Sequence, residues 1–171
     1  MRTTERIRRV LDPAYSADLS ALDVEALRAR KIECAQLETA VSYYRRLAQG
    51  RVEILVAERD RRARGGSIEE LIAQLPTILA GESDRPDAVN ARFADAEAPI
   101  IELHFDGGEE SLVADDGLAL FTRSTSAELE GAIERLRSFE AVLSGTRRSL
   151  HDVIDRIELE LAARQATGAL G

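Results

Sequence analysis

The chain has little of what most metal sites and aromatic binding pockets are built from. Among its 171 residues there is one cysteine and no tryptophan, and aromatic residues make up only 4%. The single cysteine, Cys34, excludes an internal disulfide and any zinc site with several cysteines, and it favours a reducing compartment. The shortage of aromatic residues argues against an aromatic-lined substrate pocket and against stacking platforms for single-stranded nucleic acid.

Signals for catalysis and for membranes are also missing from the sequence. It contains two histidines, and it has no nucleophile elbow, phosphate-binding loop or metal-ligand motif. It has neither a signal peptide nor an apolar run long enough to span a bilayer. We therefore expect a cytoplasmic protein that is not an enzyme, holds no metal and does not enter a membrane.

The negative charge of the chain is concentrated in one stretch. The formal net charge is −8, yet residues 81–120 carry eleven acidic side chains and two basic ones, a net −9, which leaves +1 for everything else. Overall acidity argues against direct binding to nucleic acid, because that role needs a positive face. The remainder of the chain could still receive a small anionic ligand.

Hydrophobic periodicity, caps and breakers predict a mainly all-α protein with two long helices. Between the long helices we expect an acidic connector, in which Ile100, Ile101, Leu103 and Phe105 are consistent with a short strand. The resulting division is an N-terminal arm with a short helix (1–19), a first long helix (20–64), the connector (65–124), a second long helix (125–166) and a tail (167–171). We expect the two long helices to form a coiled coil, and the long connector permits an antiparallel pair.

The second long helix carries a heptad pattern with two charged interruptions. One core row has apolar residues at seven-residue spacing: Leu129, Leu136, Leu143, Leu150 and Ile157. Its companion row, four residues further on, is Ile133, Glu140, Arg147, Ile154 and Leu161. Unpaired charge is costly to bury, so Glu140 and Arg147 need compensating partners.

The first long helix repeats this pattern 102 residues earlier, so that Glu38 falls on Glu140 and Arg45 on Arg147. Each helix then carries a five-residue polar string at spacings of 4, 3, 4 and 4 residues. The two strings are Glu38, Ser42, Arg45, Gln49 and Glu53, and Glu140, Ser144, Arg147, His151 and Asp155. Each string covers about 22 Å of one helix face, and two copies at equivalent core positions are poorly explained by surface composition.

These residue types suit a ligand that carries guanines and phosphates. Carboxylates can accept hydrogen bonds from the N1–H and N2–H₂ donors of guanine, and arginine pairs with guanine O6 and N7 or with phosphate. A single phosphate would not need four acidic side chains. A structural alternative stays open, in which Glu38 pairs with Arg147 and Arg45 with Glu140 across the helices. The protein would then be a coiled-coil adaptor with no nucleotide ligand.

The doubled string resembles the c-di-GMP-binding signature E-x3-S-x2-R-x3-Q-x3-D of RsiG-type anti-sigma factors, known from filamentous actinobacteria. The resemblance implies that the ten residues of the two strings bind two c-di-GMP molecules as a partially intercalated dimer. It further implies that the liganded protein sequesters a WhiG-type sigma factor and so blocks transcription of late developmental, sporulation genes. A third possibility is an effector-binding module that acts on a different transcriptional partner.

The sequence departs from this signature at two positions. Glu53 stands where the signature has aspartate, which keeps the acceptor and lengthens its reach. His151 stands where it has glutamine, and an imidazole cannot both donate and accept as a primary amide does. Because both strings lie on one chain, we expect a monomer.

Overall fold

The computed structural model describes residues 3–80, 113 and 123–166. The named helices in this part of the chain are α1 (Thr3–Val10), α2 (Val24–Arg64), α3 (Ile68–Ala80) and α4 (Ser126–Ala166), with short 3-10 turns at Pro13–Ser16 and Leu19–Ala21. No strand occurs within these residues, so the all-α prediction is confirmed. The short strand predicted around residues 100–105 lies outside the described residues.

Contacts divide the chain into two units, each of which contains part of both long helices. Unit 1 holds α1, the part of α2 up to Ser42 and the part of α4 from Leu143 onward. Unit 2 holds the part of α2 from Tyr43, α3, and the part of α4 up to Val142. Each unit therefore has its own helix pair and its own core.

In unit 1 the two long helices run antiparallel. Lys31 Nζ lies 2.7 Å from Glu158 Oε1, and Glu38 Oε1 lies 2.9 Å from Arg147 Nε. Residue numbers therefore rise along α2 while those of its partners on α4 fall. The core between them consists of the predicted heptad positions, each no more than 1% exposed: Leu27, Cys34, Val41, Leu143, Leu150 and Ile157. Full burial of each large aliphatic side chain in this row contributes about 1.5–3 kcal/mol.

The N-terminal segment packs within unit 1 through both apolar and polar contacts. Val10, the last residue of α1, is fully buried. Leu19, in the 3-10 turn that precedes α2, is also buried. Glu33 Oε1 accepts hydrogen bonds from Arg6 and Arg9 of α1, and Arg164 Nη2 donates to the carbonyl oxygen of Leu19 at 3.3 Å. The predicted N-terminal arm is therefore attached to the helix pair of this unit.

In unit 2 the helices are also antiparallel. Gln49 Nε2 donates to Glu140 Oε1 at 2.9 Å, while Arg59 Nε, further along α2, lies 3.8 Å from Glu130 Oε1, earlier on α4. The heptad core row continues here and is again at most 1% exposed: Ala48, Leu55, Leu129 and Leu136. The predicted antiparallel pairing is thus confirmed inside each unit.

Helix α2 begins three to four residues later than the sequence suggested. Ser20 lies in a 3-10 turn, and the side chain of Asp23 accepts the backbone N–H of Ala26 at 2.7 Å, which makes Asp23 the N-cap. At the other end Gly65 has φ +70°, and the N–H of Gly66 donates to the carbonyl of Arg61 at 3.0 Å. This pair of glycines ends the helix as a Schellman motif, which requires a left-handed residue.

A capping box is present at the start of α4. The N–H of Thr125 donates to the Glu128 carboxylate at 2.7 Å, and the N–H of Glu128 donates to the Thr125 hydroxyl at 3.3 Å. Helix α3 continues through Pro76 to Ala80. It does so although the nitrogen of Pro76 cannot donate the usual helical hydrogen bond.

None of the helices in the described part of the chain is long and apolar enough to cross a membrane.

Candidate functional site

Four residues of the two polar strings meet in unit 1, and we call them cluster 1: Glu38, Ser42, Arg147 and His151. Glu38 Oε1 accepts hydrogen bonds from Ser42 Oγ at 2.7 Å and from Arg147 Nε at 2.9 Å, and it lies 3.3 Å from His151 Nε2. Arg147 Nε also lies 3.0 Å from Ser42 Oγ. One carboxylate oxygen is therefore the centre of the cluster.

The electrostatic balance at Glu38 favours the charged carboxylate. Its side chain is only 19% exposed, and this burial by itself would raise its pKa. Hydrogen bonds from Ser42 and Arg147, together with the positive charge of Arg147, outweigh burial and hold the pKa of Glu38 below its usual value. Glu38 is consequently ionised at neutral pH and remains an acceptor.

Three further string residues meet in unit 2, and we call them cluster 2: Arg45, Gln49 and Glu140. Glu140 Oε1 accepts a hydrogen bond from Gln49 Nε2 at 2.9 Å, and Arg45 Nη1 lies 3.7 Å from the same oxygen. The Nε atom of Arg45 is buried and has no hydrogen-bond partner among the described residues. The arginine of cluster 2 is therefore paired more loosely than the arginine of cluster 1.

The two clusters repeat the same arrangement with the helices exchanged. In cluster 1 the glutamate comes from α2 and its arginine from α4; in cluster 2 the glutamate comes from α4 and its arginine from α2. His151 occupies the string position of Gln49, and each of these two side chains approaches the glutamate of its own cluster. The sequence repeat is therefore expressed in equivalent side-chain contacts.

Three residues of the strings are not among the seven that define clusters 1 and 2, although Ser144 and Glu53 each interact within the protein. Ser144 is half-buried on α4 in unit 1 and Asp155 is exposed on the same helix, while Glu53 is half-buried on α2 in unit 2. Glu53 lines a groove together with Arg45, Gln49 and Glu140. Seven of the ten predicted residues thus form the two clusters, and an eighth joins cluster 2 in the groove.

The groove in unit 2 has a volume of about 1050 Å³, at the upper end of the range for small-molecule sites. Its walls come from α2, α3 and the early part of α4. Besides the four string residues it is lined by Arg46, Val52, Val56, Ala57, Asp60, Arg64, Gln74, Thr77 and Arg137. A space of this size, with apolar walls and charged groups of both signs, suits a ligand that has both donors and negative charge.

The sequence interpretation missed the arginines that line this groove outside the strings. Arg46 follows Arg45 directly, Arg137 precedes Glu140 by one helical turn, and Arg64 is the last residue of α2. The one-turn spacing of Arg137 and Glu140 was a readable signal. The contribution of Arg64 was not readable, because it depends on how the Gly65–Gly66 turn returns the chain into α3.

Cys34, by contrast, is a core residue. It is fully buried in the heptad row of unit 1, and burial is the main reason that the pKa of its thiol is raised. A buried thiol with a raised pKa is a poor nucleophile.

Comparison with known proteins identifies one family that resembles part of this chain. A family model described as RsiG-like matches residues 13–79, which include all of the first polar string. The match confirms the resemblance to RsiG-type proteins over this segment, which is less than half of the chain. A search of curated proteins found no match.

Proposed function

We propose that this protein is a c-di-GMP-controlled anti-sigma factor that sequesters a WhiG-type sigma factor when the nucleotide is bound. In this role it would repress late developmental, sporulation genes, as the resemblance implies for an actinobacterial protein. The protein would act in the cytoplasm. It would act as a monomer, because both copies of the polar string lie on one chain.

The observation that carries the proposal is the duplicated cluster. A carboxylate, an arginine and an amide or imidazole meet at one oxygen in unit 1 and again in unit 2, each time from opposite helices. A single structural ion pair needs no such repetition. Two guanine dinucleotides would offer equivalent groups, one to each cluster, so the repetition supports this ligand.

The chemistry of the clusters matches that ligand. Glu38 and Glu140 would accept hydrogen bonds from guanine N1–H and N2–H₂, which can replace the donors that occupy them now. Arg45 and Arg147, released from their glutamates, would bind guanine O6 and N7 or a phosphate oxygen. Each internal ion pair would thus be replaced by two contacts to the ligand, one from the glutamate and one from the arginine. These contacts would offset the desolvation of both charged side chains.

The sigma factor would bind in a ligand-dependent way if its affinity for the liganded protein differs from its affinity for the free protein. A sigma factor that contacts the bound nucleotide, or helices held in their ligand-bound arrangement, binds the liganded protein more tightly than the free one. By linkage the sigma factor then strengthens nucleotide binding by the same factor.

Calorimetric titration with c-di-GMP tests the nucleotide site. We expect wild-type protein to bind, and Arg45→Ala and Arg147→Ala each to weaken binding by at least tenfold. Arg135→Ala is the matched control, because Arg135 is an exposed arginine of α4 outside both clusters and outside the groove lining. Equal affinity of all four proteins would contradict the assigned site.

A pull-down with a WhiG-type sigma factor, with and without c-di-GMP, tests the partner. Capture that requires the nucleotide supports the proposal. Nucleotide binding without capture points to a different transcriptional partner.

The second candidate is a structural adaptor without a nucleotide, and one observation agrees with it. The ion pairs that this alternative predicts, Glu38 with Arg147 and Arg45 with Glu140, are both present in the free protein. The same contacts are equally expected in a receptor whose carboxylates and arginines compensate each other before the ligand arrives. Absence of c-di-GMP binding by the wild-type protein would decide for the adaptor.

A further inference from the structure

The groove in unit 2 contains more arginine than the repeated strings require. Four arginines line it: Arg45, Arg46, Arg64 and Arg137. Among the described residues, Arg45 is paired with Glu140 at 3.7 Å, whereas Arg46, Arg64 and Arg137 have neither a hydrogen bond nor an ion pair to a described partner. Three guanidinium groups without a partner in the described part of the chain therefore border one concave surface.

The acidic groups of the groove are already engaged. Asp60 Oδ1 accepts from Arg59 Nε at 2.9 Å, and Glu140 Oε1 accepts from Gln49 at 2.9 Å. Glu53 also has an interaction within the protein. The groove has four arginines against three acidic side chains, so a small excess of positive charge suits it to bind anionic groups.

Two of the arginines have no counterpart in the other copy of the repeat. A shift of 102 residues places Arg137 on Ala35 and Arg64 on Ala166, while Arg46 falls on Arg148. The additional positive charge is therefore specific to the groove and is not part of the repeated pattern. This difference in sequence accompanies a difference in contacts, because the arginine of cluster 1 lies 2.9 Å from its glutamate and that of cluster 2 lies 3.7 Å away.

We infer that Arg64 and Arg137 are nucleotide-binding residues outside the repeated signature, which give the groove of unit 2 an additional contact to the phosphates of the ligand. The inference rests on the proposed function, since it concerns the phosphates of the same dinucleotide. Arginine suits this task because its planar fork matches two phosphate oxygens at once. The glutamates of the strings select the guanine edges, and these two arginines add affinity for the charged backbone.

Titration of c-di-GMP into wild-type protein, Arg64→Ala, Arg137→Ala and Arg135→Ala tests this assignment. Both Arg64 and Arg137 are exposed on helices, so the folded state should tolerate their replacement. We expect about fivefold weaker binding for each of the first two variants, and binding within about twofold of wild type for Arg135→Ala. Arg137→Lys should recover part of the affinity, because it keeps the charge and loses the fork.

Salt dependence separates a phosphate contact from an indirect effect. A lost contact to phosphate makes the affinity of Arg137→Ala less sensitive to salt than that of the wild type, whereas a purely structural change leaves the slope unaltered. If the wild-type protein binds c-di-GMP, and Arg64→Ala and Arg137→Ala bind it as tightly as Arg135→Ala, this inference is overturned while the proposed function stands. If the wild-type protein does not bind c-di-GMP, the proposed function fails first.

Discussion

Glu38 and Glu140 occupy the same position of the repeat but differ in the distance to their arginine. Glu38 receives two close donors, Ser42 and Arg147, and its pKa is lowered by them against the effect of burial. Glu140 receives Gln49 at 2.9 Å and has its arginine at 3.7 Å. A guanine that binds at Glu38 must therefore displace an arginine at 2.9 Å, whereas the arginine beside Glu140 lies 3.7 Å away.

The lowered pKa of Glu38 makes its contribution to stability depend on pH. A carboxyl group whose pKa is lower in the folded state than its ordinary value of 4.5 stabilises the fold above that value. This contribution is lost as the pH falls through the folded-state pKa. We expect Glu38→Gln to reduce the free energy of unfolding by about 1 kcal/mol at pH 7.

Urea denaturation at several pH values measures this effect. The difference between wild type and Glu38→Gln should shrink as the pH falls below 4.5. Glu134→Gln, at an exposed position of α4, should match the wild type at every pH. A difference for Glu38→Gln that stays constant down to the lowest pH would refute the assigned role of the charge.

At the scale of the helices, the sequence contained most of the fold. The ten positions of the two heptad core rows are all buried. Each long helix has one apolar stripe, and packing this stripe against the other helix buries it. The start of α2 was less determined, because the predicted boundary at residue 20 falls in a 3-10 turn and Asp23 caps the helix instead. The groove depends on α3, whose continuation through Pro76 contradicts the local preference of proline.

Two glycines in the long-helix region should respond in opposite ways to substitution by alanine. Gly65 has φ +70°, so Gly65→Ala should destabilise the protein by about 1 kcal/mol through the left-handed backbone. Gly145 lies inside α4, and an added Cβ there meets nothing within 4 Å, so Gly145→Ala should stabilise the protein by about 0.5–1 kcal/mol. Thermal denaturation of both variants measures the two signs, and destabilisation by Gly145→Ala would contradict the helix as described.

At the scale of the whole molecule, binding at the two clusters should stabilise the folded chain. A ligand at a concentration 100 times its dissociation constant adds about 2.7 kcal/mol, which corresponds to a rise in Tm of about 5–10 °C for a chain of this length. We expect c-di-GMP to produce this rise and GMP at the same concentration to produce a smaller one. An identical rise with both nucleotides would indicate unspecific anion binding.

The most direct test of the central claim is c-di-GMP titration of a charge-swapped protein, Glu38→Arg combined with Arg147→Glu. The swap retains an ion pair between the two helices of unit 1 but interchanges its acceptor and its donor. If cluster 1 is a receptor for guanine and phosphate, the swapped protein should fold with near-normal stability and bind c-di-GMP at least tenfold more weakly than the wild type. Unchanged c-di-GMP affinity in a stably folded swapped protein would show that the pair only holds the helices together.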